Sequence, residues 1–283
     1  MEHGTPAPAS VTFAVIGRNE AATLRTSLEQ ALAAAEPGDR VLFVDGGSSD
    51  ESLSIAREMG VEGVEAGAGK GRAIAVAAEA AGPAALCTID ADIEWSEVNI
   101  PATLRAAYVR TRADMVVANF VQKARARTII PGVYHPFVAA LFPEALHVGG
   151  PTPITGFRIM APGLTTNAVP AGYGVETYLN IRFALDGRQI ERLDIGLYDG
   201  PLKGYANIER MAADVIATIL DLAVAERRLH PSMRGAYEEW ASAVVEHASS
   251  LPVPPEGRET YTARLMELAA RPLPVAQPAG AAP

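Results

Sequence analysis

Hydrophobic positions along the first 120 residues switch repeatedly between two periods. A continuous apolar run of strand length over 11–17 gives way to helical spacing over 19–35, where Leu24, Leu28 and Leu32 lie four apart and Pro37-Gly38 follows. Residues 41–44 form a second apolar run, closed by Asp45-Gly46-Gly47. Ser48 and Glu51 have the S-x-x-E spacing of a capping box, which starts a helix ending at Gly60. A third strand is expected over 61–66, a helix over 70–81 stopped by Gly82-Pro83, and a strand over 86–89 that runs into Asp90-Ala91-Asp92. A helix over 96–112 and a strand over 115–120 complete this part. Such alternation predicts parallel strands with helices on both faces.

Beyond 121 the pattern is less regular. An interrupted helix is expected over 131–146, and 149–174 is rich in Gly, Pro and Thr, the composition of loops near a site. A helix over 174–185 and a strand over 190–197 follow, then amphipathic helices over 205–229, 232–249 and 259–268. From Arg271 the Pro/Ala-rich tail is expected to be mobile.

Composition narrows the function classes. The chain has 283 residues, 49% of them hydrophobic, and a formal net charge of −9. That length fits one domain of roughly 200–250 residues with an appendage, or two small domains. The acidic balance disfavours a nucleic-acid partner or an anionic membrane surface, both of which need clustered cations. The single cysteine, Cys87, excludes a disulfide framework, and the five histidines lack metal-ligand spacing. The N-terminal MEHGTPAPAS lacks the pattern of a secretory signal, and the most apolar stretch, 211–229, is broken by five charges. A cytoplasmic location without a membrane partner is therefore expected.

Ligands of open α/β sheets sit beyond the C-terminal strand ends. Four polar clusters fall there: Arg18-Asn19-Glu20, Asp45-Gly46-Gly47-Ser48, Gly69-Lys70-Gly71 and Asp90-Ala91-Asp92. Two carboxylates one residue apart can bind a hard divalent cation that bridges phosphates, or simply cap a turn. Glycines around Lys70 let backbone approach a phosphate, or make a flexible turn; the segment is neither a Walker loop nor a dinucleotide fingerprint. Asp45 and Glu20 can contact a base or ribose, or serve local turns and a helix dipole. No G-x-S-x-G elbow is present, which argues against a serine hydrolase.

The array NE, DGGSSDES, GKG and DAD resembles the GT-A-fold glycosyltransferases that use nucleotide sugars, whose family-2 pattern is N-E, D-G-S-T-D-x-S/T and D-x-D. With GKG, the later segment GYGVETYLNIRFA is similar to the retaining glucosyl-3-phosphoglycerate synthases and their mannosyl relatives. The resemblance spans about 11–225. It implies donor contacts from Asn19, Glu20, Asp45, Gly47, Ser48, Lys70, Asp90, Ala91 and Gly156, with Lys70 against the diphosphate. It implies an Mg²⁺ or Mn²⁺ ligand at Asp92, and Glu176 on the hydroxyls of the transferred sugar. Asp92, Lys70 and Glu176 would carry the catalysis, and Tyr173 would face the acceptor.

Two departures from that pattern stand out. The metal-binding histidine expected after the late strand is missing from Gly196-Leu197-Tyr198-Asp199-Gly200-Pro201, where Asp199 is the nearest candidate ligand. The glycine-rich acceptor loop is replaced by Lys123-Ala124-Arg125-Ala126-Arg127-Thr128, which keeps the positive charge. Arg125, Arg127 and Thr128 are then the acceptor-side candidates.

The expected architecture is α/β: a GT-A, Rossmann-like, mixed and mainly parallel sheet flanked by helices, with a helical C-terminal extension. The expected domains are a flexible 1–10, a catalytic 11–200 (donor half about 11–120, acceptor half about 121–200), a helical 201–270 that packs back on the core or forms the interface of the homodimer the resemblance implies, and a flexible 271–283. The expected function is metal-dependent, retaining transfer of a hexose, with UDP-glucose as donor and a small phosphoglycerate-like anion as acceptor. A glycosyltransferase of natural-product or small-thiol biosynthesis using a GDP- or other NDP-sugar is the alternative. A sugar nucleotidyltransferase comes next, against which Gly17-Arg18-Asn19-Glu20 speaks, since that class carries G-x-G-T/S-R after its first strand. A non-catalytic sugar-nucleotide-binding protein is the last.

Overall fold

The computed structural model describes residues 10–122, 129–148, 150–163, 169–200, 205–250 and 272–274. Eight strands form one sheet: β1 (Val11–Gly17), β2 (Arg40–Asp45), β3 (Glu62–Glu65), β4 (Ala85–Asp90), β5 (Trp95–Ser96), β6 (Met115–Gln122), β7 (Arg158–Met160) and β8 (Ile190–Asp199). Their spatial order is β3-β2-β1-β4-β7-β6-β8-β5. β1, β2, β3 and β4 pair in parallel, as do β6 and β8, while β7 runs antiparallel between β4 and β6 and β5 antiparallel to β8. The sheet is thus mixed and mainly parallel, as the alternation implied. The three-residue β7 and two-residue β5 are too short to show a period and were not anticipated.

The central strands β1 and β4 are apolar over most of their length because both faces are covered. On β1, Val11, Phe13 and Val15 face one core with Leu24, Leu28 and Ala31 of helix α1 (Leu24–Ala34) and Leu104 of α4 (Ile100–Thr111). Ala14 and Ile16 face the other, with Ile74 of α3 (Lys70–Ala81) and Leu179 of α6 (Val175–Leu185). Leu32 falls outside its expected stripe at 42% exposure; Ala31 takes the buried place.

The expected capping box at Ser48 is absent. Helix α2 (Ser52–Glu58) starts four residues later, and Asp50 serves its first turn by accepting the N–H and the hydroxyl of Ser52 at 3.0 and 2.6 Å. Ser48 is engaged elsewhere, as described below.

The interrupted helix is resolved into a π-helical turn (Ile130–Tyr134), helix α5 (His135–Leu141) and a 3-10 turn (Pro143–Ala145). These share a third core with α7 (Tyr205–Ala225) and α8 (Arg234–Ser250), closed by Ile181 on the far side of α6. The C-terminal helices therefore pack back on the molecule. The helix expected over 259–268 and both terminal segments lie outside the described residues. Among the described residues, no helix is long and apolar enough to cross a membrane.

Candidate active site

A cleft of about 650 Å³ opens at the C-terminal ends of β1 and β4. Its floor is the turn after β1 together with the loop after β2. Asn19 adopts a left-handed φ of 58°; its N–H donates to Ser48 Oγ at 2.9 Å, and its Oδ1 accepts the Ser49 N–H at 2.7 Å. Glu20 N–H donates to Ser52 Oγ and Ala21 N–H to Asp50, at 3.1 and 3.0 Å. Asp45 is 1% exposed and accepts from the N–H groups of Gly47 and Ser48 and from the Ser48 hydroxyl. Burial alone would raise the Asp50 pKa, but the bonds from Ser52 and Ala21 outweigh it and hold the carboxyl below its ordinary value. The NE and DGGSSDES motifs thus satisfy each other and fix the shape of the floor. Asn19, Glu20 and Gly46 line the cleft, whereas Asp45, Gly47 and Ser48 do not.

Lys70 occupies the first turn of α3. Its Nζ lies 2.8 Å from Asp90 Oδ1 and 2.6 Å from Glu176 Oε1. Burial works against the ammonium, but the two carboxylates overcome it and hold its pKa well above the ordinary lysine value. The charge of Lys70 is therefore matched inside the protein. Glu176, at 2% exposure, does not line the cleft and reaches it through Lys70. Asp90 Oδ2 accepts the Gly156 N–H at 3.2 Å, and a Cβ on Gly156 would overlap that carboxylate.

The glycines around Lys70 meet the protein's own backbone. The N–H groups of Gly71 and Arg72 donate to the carbonyls of Gly172 and Ala171, each at 3.1 Å. Cβ atoms on Gly69 and Gly71 would overlap the carbonyls of Ala171 and Pro170. Two of the amides at this helix start thus hold protein carbonyls, and the glycines admit backbone rather than ligand. The GYG glycines act alike: Cβ atoms on Gly172 and Gly174 would strike Asp214 and Thr218 of α7.

Ala91 and Asp92 line the cleft at the end of β4. Asp92 Oδ1 accepts the Tyr198 hydroxyl at 3.1 Å. The end of β8 lies against this segment: the Glu94 N–H donates to the Asp199 carbonyl at 3.1 Å, and Asp199 Oδ1 accepts the Gly200 N–H at 3.2 Å. Asp199 does not line the cleft. Tyr173 does; its N–H donates to Asp214 at 2.7 Å, and the Arg210 guanidinium stacks over its ring at 5.6 Å. Arg125, Arg127 and Thr128 fall outside the described residues. Arg18, Arg210 and Asp214 line the cleft without having been assigned a role. The two α7 residues carried no usable signal, because a long amphipathic helix does not announce which polar position faces a cleft.

A family model, Glycosyl transferase family 2, matches residues 12–159, just over half of the chain. No curated protein matches. Among solved structures, mannosyl-3-phosphoglycerate synthase from Rubrobacter xylanophilus is 20% identical with a TM-score of 0.69, covering 78% of this chain and 76% of that one. Glucosyl-3-phosphoglycerate synthase from Mycobacterium tuberculosis, in complex with Mn²⁺, UDP-glucose and phosphoglyceric acid, is 23% identical with a TM-score of 0.65, covering 76% and 79%. The same enzyme with Mg²⁺ and UDP is 22% identical with a TM-score of 0.66, covering 75% and 78%. At these identities the likeness establishes the fold.

Proposed function

Since the chain belongs to glycosyl transferase family 2, we propose that it moves a hexose from a nucleotide sugar to a small anionic acceptor, with UDP-glucose as donor and a phosphoglycerate-like acid as acceptor. The observation that carries this reading is the convergence on one cleft of the Arg18–Glu20 turn, the Lys70–Asp90–Glu176 cluster and Asp92. The floor takes the nucleoside, Asp90 takes sugar hydroxyls, and Lys70 with Glu176 holds Asp90 in place. This shifts Lys70 from the diphosphate to the sugar side.

Among the described residues, seven charged side chains line the cleft: Glu20, Asp90, Asp92 and Asp214 against Arg18, Lys70 and Arg210. A diphosphate thus meets no surplus of positive charge from these seven. Asp92 would hold Mg²⁺ or Mn²⁺, whereas Asp199, outside the cleft lining, is not assigned to the ion. One or two carboxylates, completed by phosphate oxygens and water, suit such ions. Among the described residues, no three His, Cys, Asp or Glu side chains form a self-sufficient metal centre, which fits an ion shared with the donor. When bound, the ion supplies positive charge against the departing diphosphate.

In the transfer, the bond from the anomeric carbon to the phosphate oxygen breaks and its electron pair leaves with the nucleoside diphosphate. The acceptor hydroxyl oxygen bonds to the same carbon from the side just vacated, and its proton passes to the leaving phosphate. The configuration is then retained. The lining by Tyr173 and Arg210 supports an acceptor site in that part of the cleft.

The missing histidine and the altered 123–128 stretch favour one second reading, a natural-product or small-thiol glycosyltransferase with a GDP- or other NDP-sugar. Calorimetric titration of UDP-glucose and GDP-mannose, with and without Mn²⁺, separates the two. Mass spectrometry with phosphoglycerate and other small acids then reads the transfer, and proton NMR of the product gives the anomeric configuration. Donor binding that ignores metal and survives Asp92→Asn would sink the proposed metal role. Release of pyrophosphate would turn the assignment to a nucleotidyltransferase.

A further inference from the structure

Arg158 is the largest fully buried side chain among the described residues, at 0% exposure, and it does not line the cleft. It starts β7, behind the Lys70–Asp90–Glu176 cluster. Its guanidinium donates to the Thr155 carbonyl from Nε at 3.1 Å and from Nη2 at 2.6 Å, and to the Pro153 carbonyl at 3.4 Å. Nη1 donates to Asn180 Oδ1 at 3.2 Å and lies 3.8 Å from Met115 Sδ. Among the described residues, its contacts are carbonyls, an amide and a sulfur, with no carboxylate at ion-pair distance. A buried charge held in this way is costly unless a countercharge lies close by. Burial weakens its hold on the proton, and Glu176 leads the groups that oppose this, ahead of Tyr134 and Asp90.

The hydrogen bonds run in two directions. One leads to the turn 153–156, whose Gly156 donates its N–H to Asp90 and accepts the Thr88 hydroxyl at 2.6 Å. The other leads to Asn180, one helical turn along α6 from Glu176 and hence on the same face. Asn180 in turn donates to the Pro153 carbonyl and to the Tyr134 hydroxyl, at 2.8 and 3.1 Å. Tyr134 belongs to the π-helical turn beyond the basic stretch 123–128, and such turns recur at functional sites. One guanidinium therefore ties together the turn that steadies Asp90, the helix that carries Glu176 and the chain leaving the acceptor-side stretch.

Charge completes the picture. Lys70 alone faces two carboxylates; with Arg158 the four groups sum to zero. We propose that Arg158 is a positioning residue for the sugar transfer, fixing the 153–156 turn against α6 and supplying the second positive charge behind Glu176. The transfer itself rests on the function proposed above, whereas the charge balance can be tested without any sugar.

The first experiment measures urea midpoints of wild type, Arg158→Met, Arg158→Lys, Glu176→Gln and Arg158→Met/Glu176→Gln at one pH. Without the guanidinium, Asp90 and Glu176 share the single charge of Lys70. Glu176→Gln removes that surplus of negative charge, so the losses from the two substitutions should not add.

The midpoint loss from Arg158→Met should therefore be about twofold smaller when Glu176 is already glutamine, and Arg158→Lys, which keeps the charge, should lose less than Arg158→Met. In the transfer assay, kcat of Arg158→Met should fall about 100-fold with donor KM within threefold, and Arg158→Lys should recover part of it. Additive midpoint losses, or folded Arg158→Met with wild-type kcat, overturn the proposal. If Arg158→Met does not fold, Arg158→Lys alone is compared with wild type; a wild-type midpoint together with wild-type kcat overturns it as well. Absence of any transfer by wild type counts against the proposed function and leaves the urea measurement to decide the role of Arg158.

Discussion

Gly71→Ala separates two accounts of the glycines beside Lys70. If they cradle a phosphate, a methyl group there weakens donor binding and leaves stability alone. The geometry requires the opposite. The new Cβ would overlap the Pro170 carbonyl oxygen and sit 2.9 Å from its carbon and 3.1 Å from the Ala171 carbon. These are backbone atoms, so no side-chain rotation relieves the contact. They are also held in place, because the N–H groups of Gly71 and Arg72 donate to this same segment. Retreat of 170–172 would break those two hydrogen bonds, each worth about 0.5–1.5 kcal/mol. Holding position instead costs about 1–3 kcal/mol in overpacking. Alanine returns about 1 kcal/mol as the better helix former. The net expectation is a loss of about 1 kcal/mol and at most about 2 kcal/mol, measured as a shift in urea midpoint at unchanged m. Gly60→Ala is the control: it has open space around it and a left-handed φ of 71°, so only the backbone conformation contributes. A Gly71→Ala protein as stable as wild type, but with weakened UDP-glucose binding, would refute this reasoning and restore the phosphate cradle.

Lys70→Met should destabilise by about 3 kcal/mol, at the lower end for breaking a buried pair because Asp90 is partly exposed. Since the Lys70 pKa is raised, its contribution is complete below the ordinary lysine value and is lost only as pH rises through the higher folded one; urea melts of wild type should show no loss assignable to it between pH 5 and 9. Arg210→Ala should raise acceptor KM about tenfold or more with donor KM unchanged, since it removes a planar cation stacked on Tyr173; an effect on the donor alone would move Arg210 to the diphosphate. Leu32→Lys, on the exposed side of α1, should change the thermal midpoint by no more than the equivalent of about 0.5 kcal/mol; a larger drop would place that face in an interface.

The sequence disclosed what repeats, and it concealed what is unique. The sheet was legible because each strand needs apolar residues on both faces, so 11–17 and 86–89 stand out as runs. β7 was not legible: it spans three residues and includes a fully buried arginine, which marks a segment as surface under any hydropathy rule. The site residues divide in the same way. Asp92 could be found because it follows a strand in a D-x-D pair, and Lys70 because it stands at a helix start among glycines. Their partners could not be read, since the glycines beside Lys70 serve equally for a phosphate or for another stretch of backbone. Only the meeting of Gly71 with Pro170, about 100 positions later, decides between those uses. The same holds for charge: −9 constrains what the protein attracts at long range, but Lys70 lies 2.8 and 2.6 Å from two carboxylates that local sequence does not supply together. An anionic donor is therefore governed by whichever charges remain unmatched inside the cleft, and composition cannot reveal that balance.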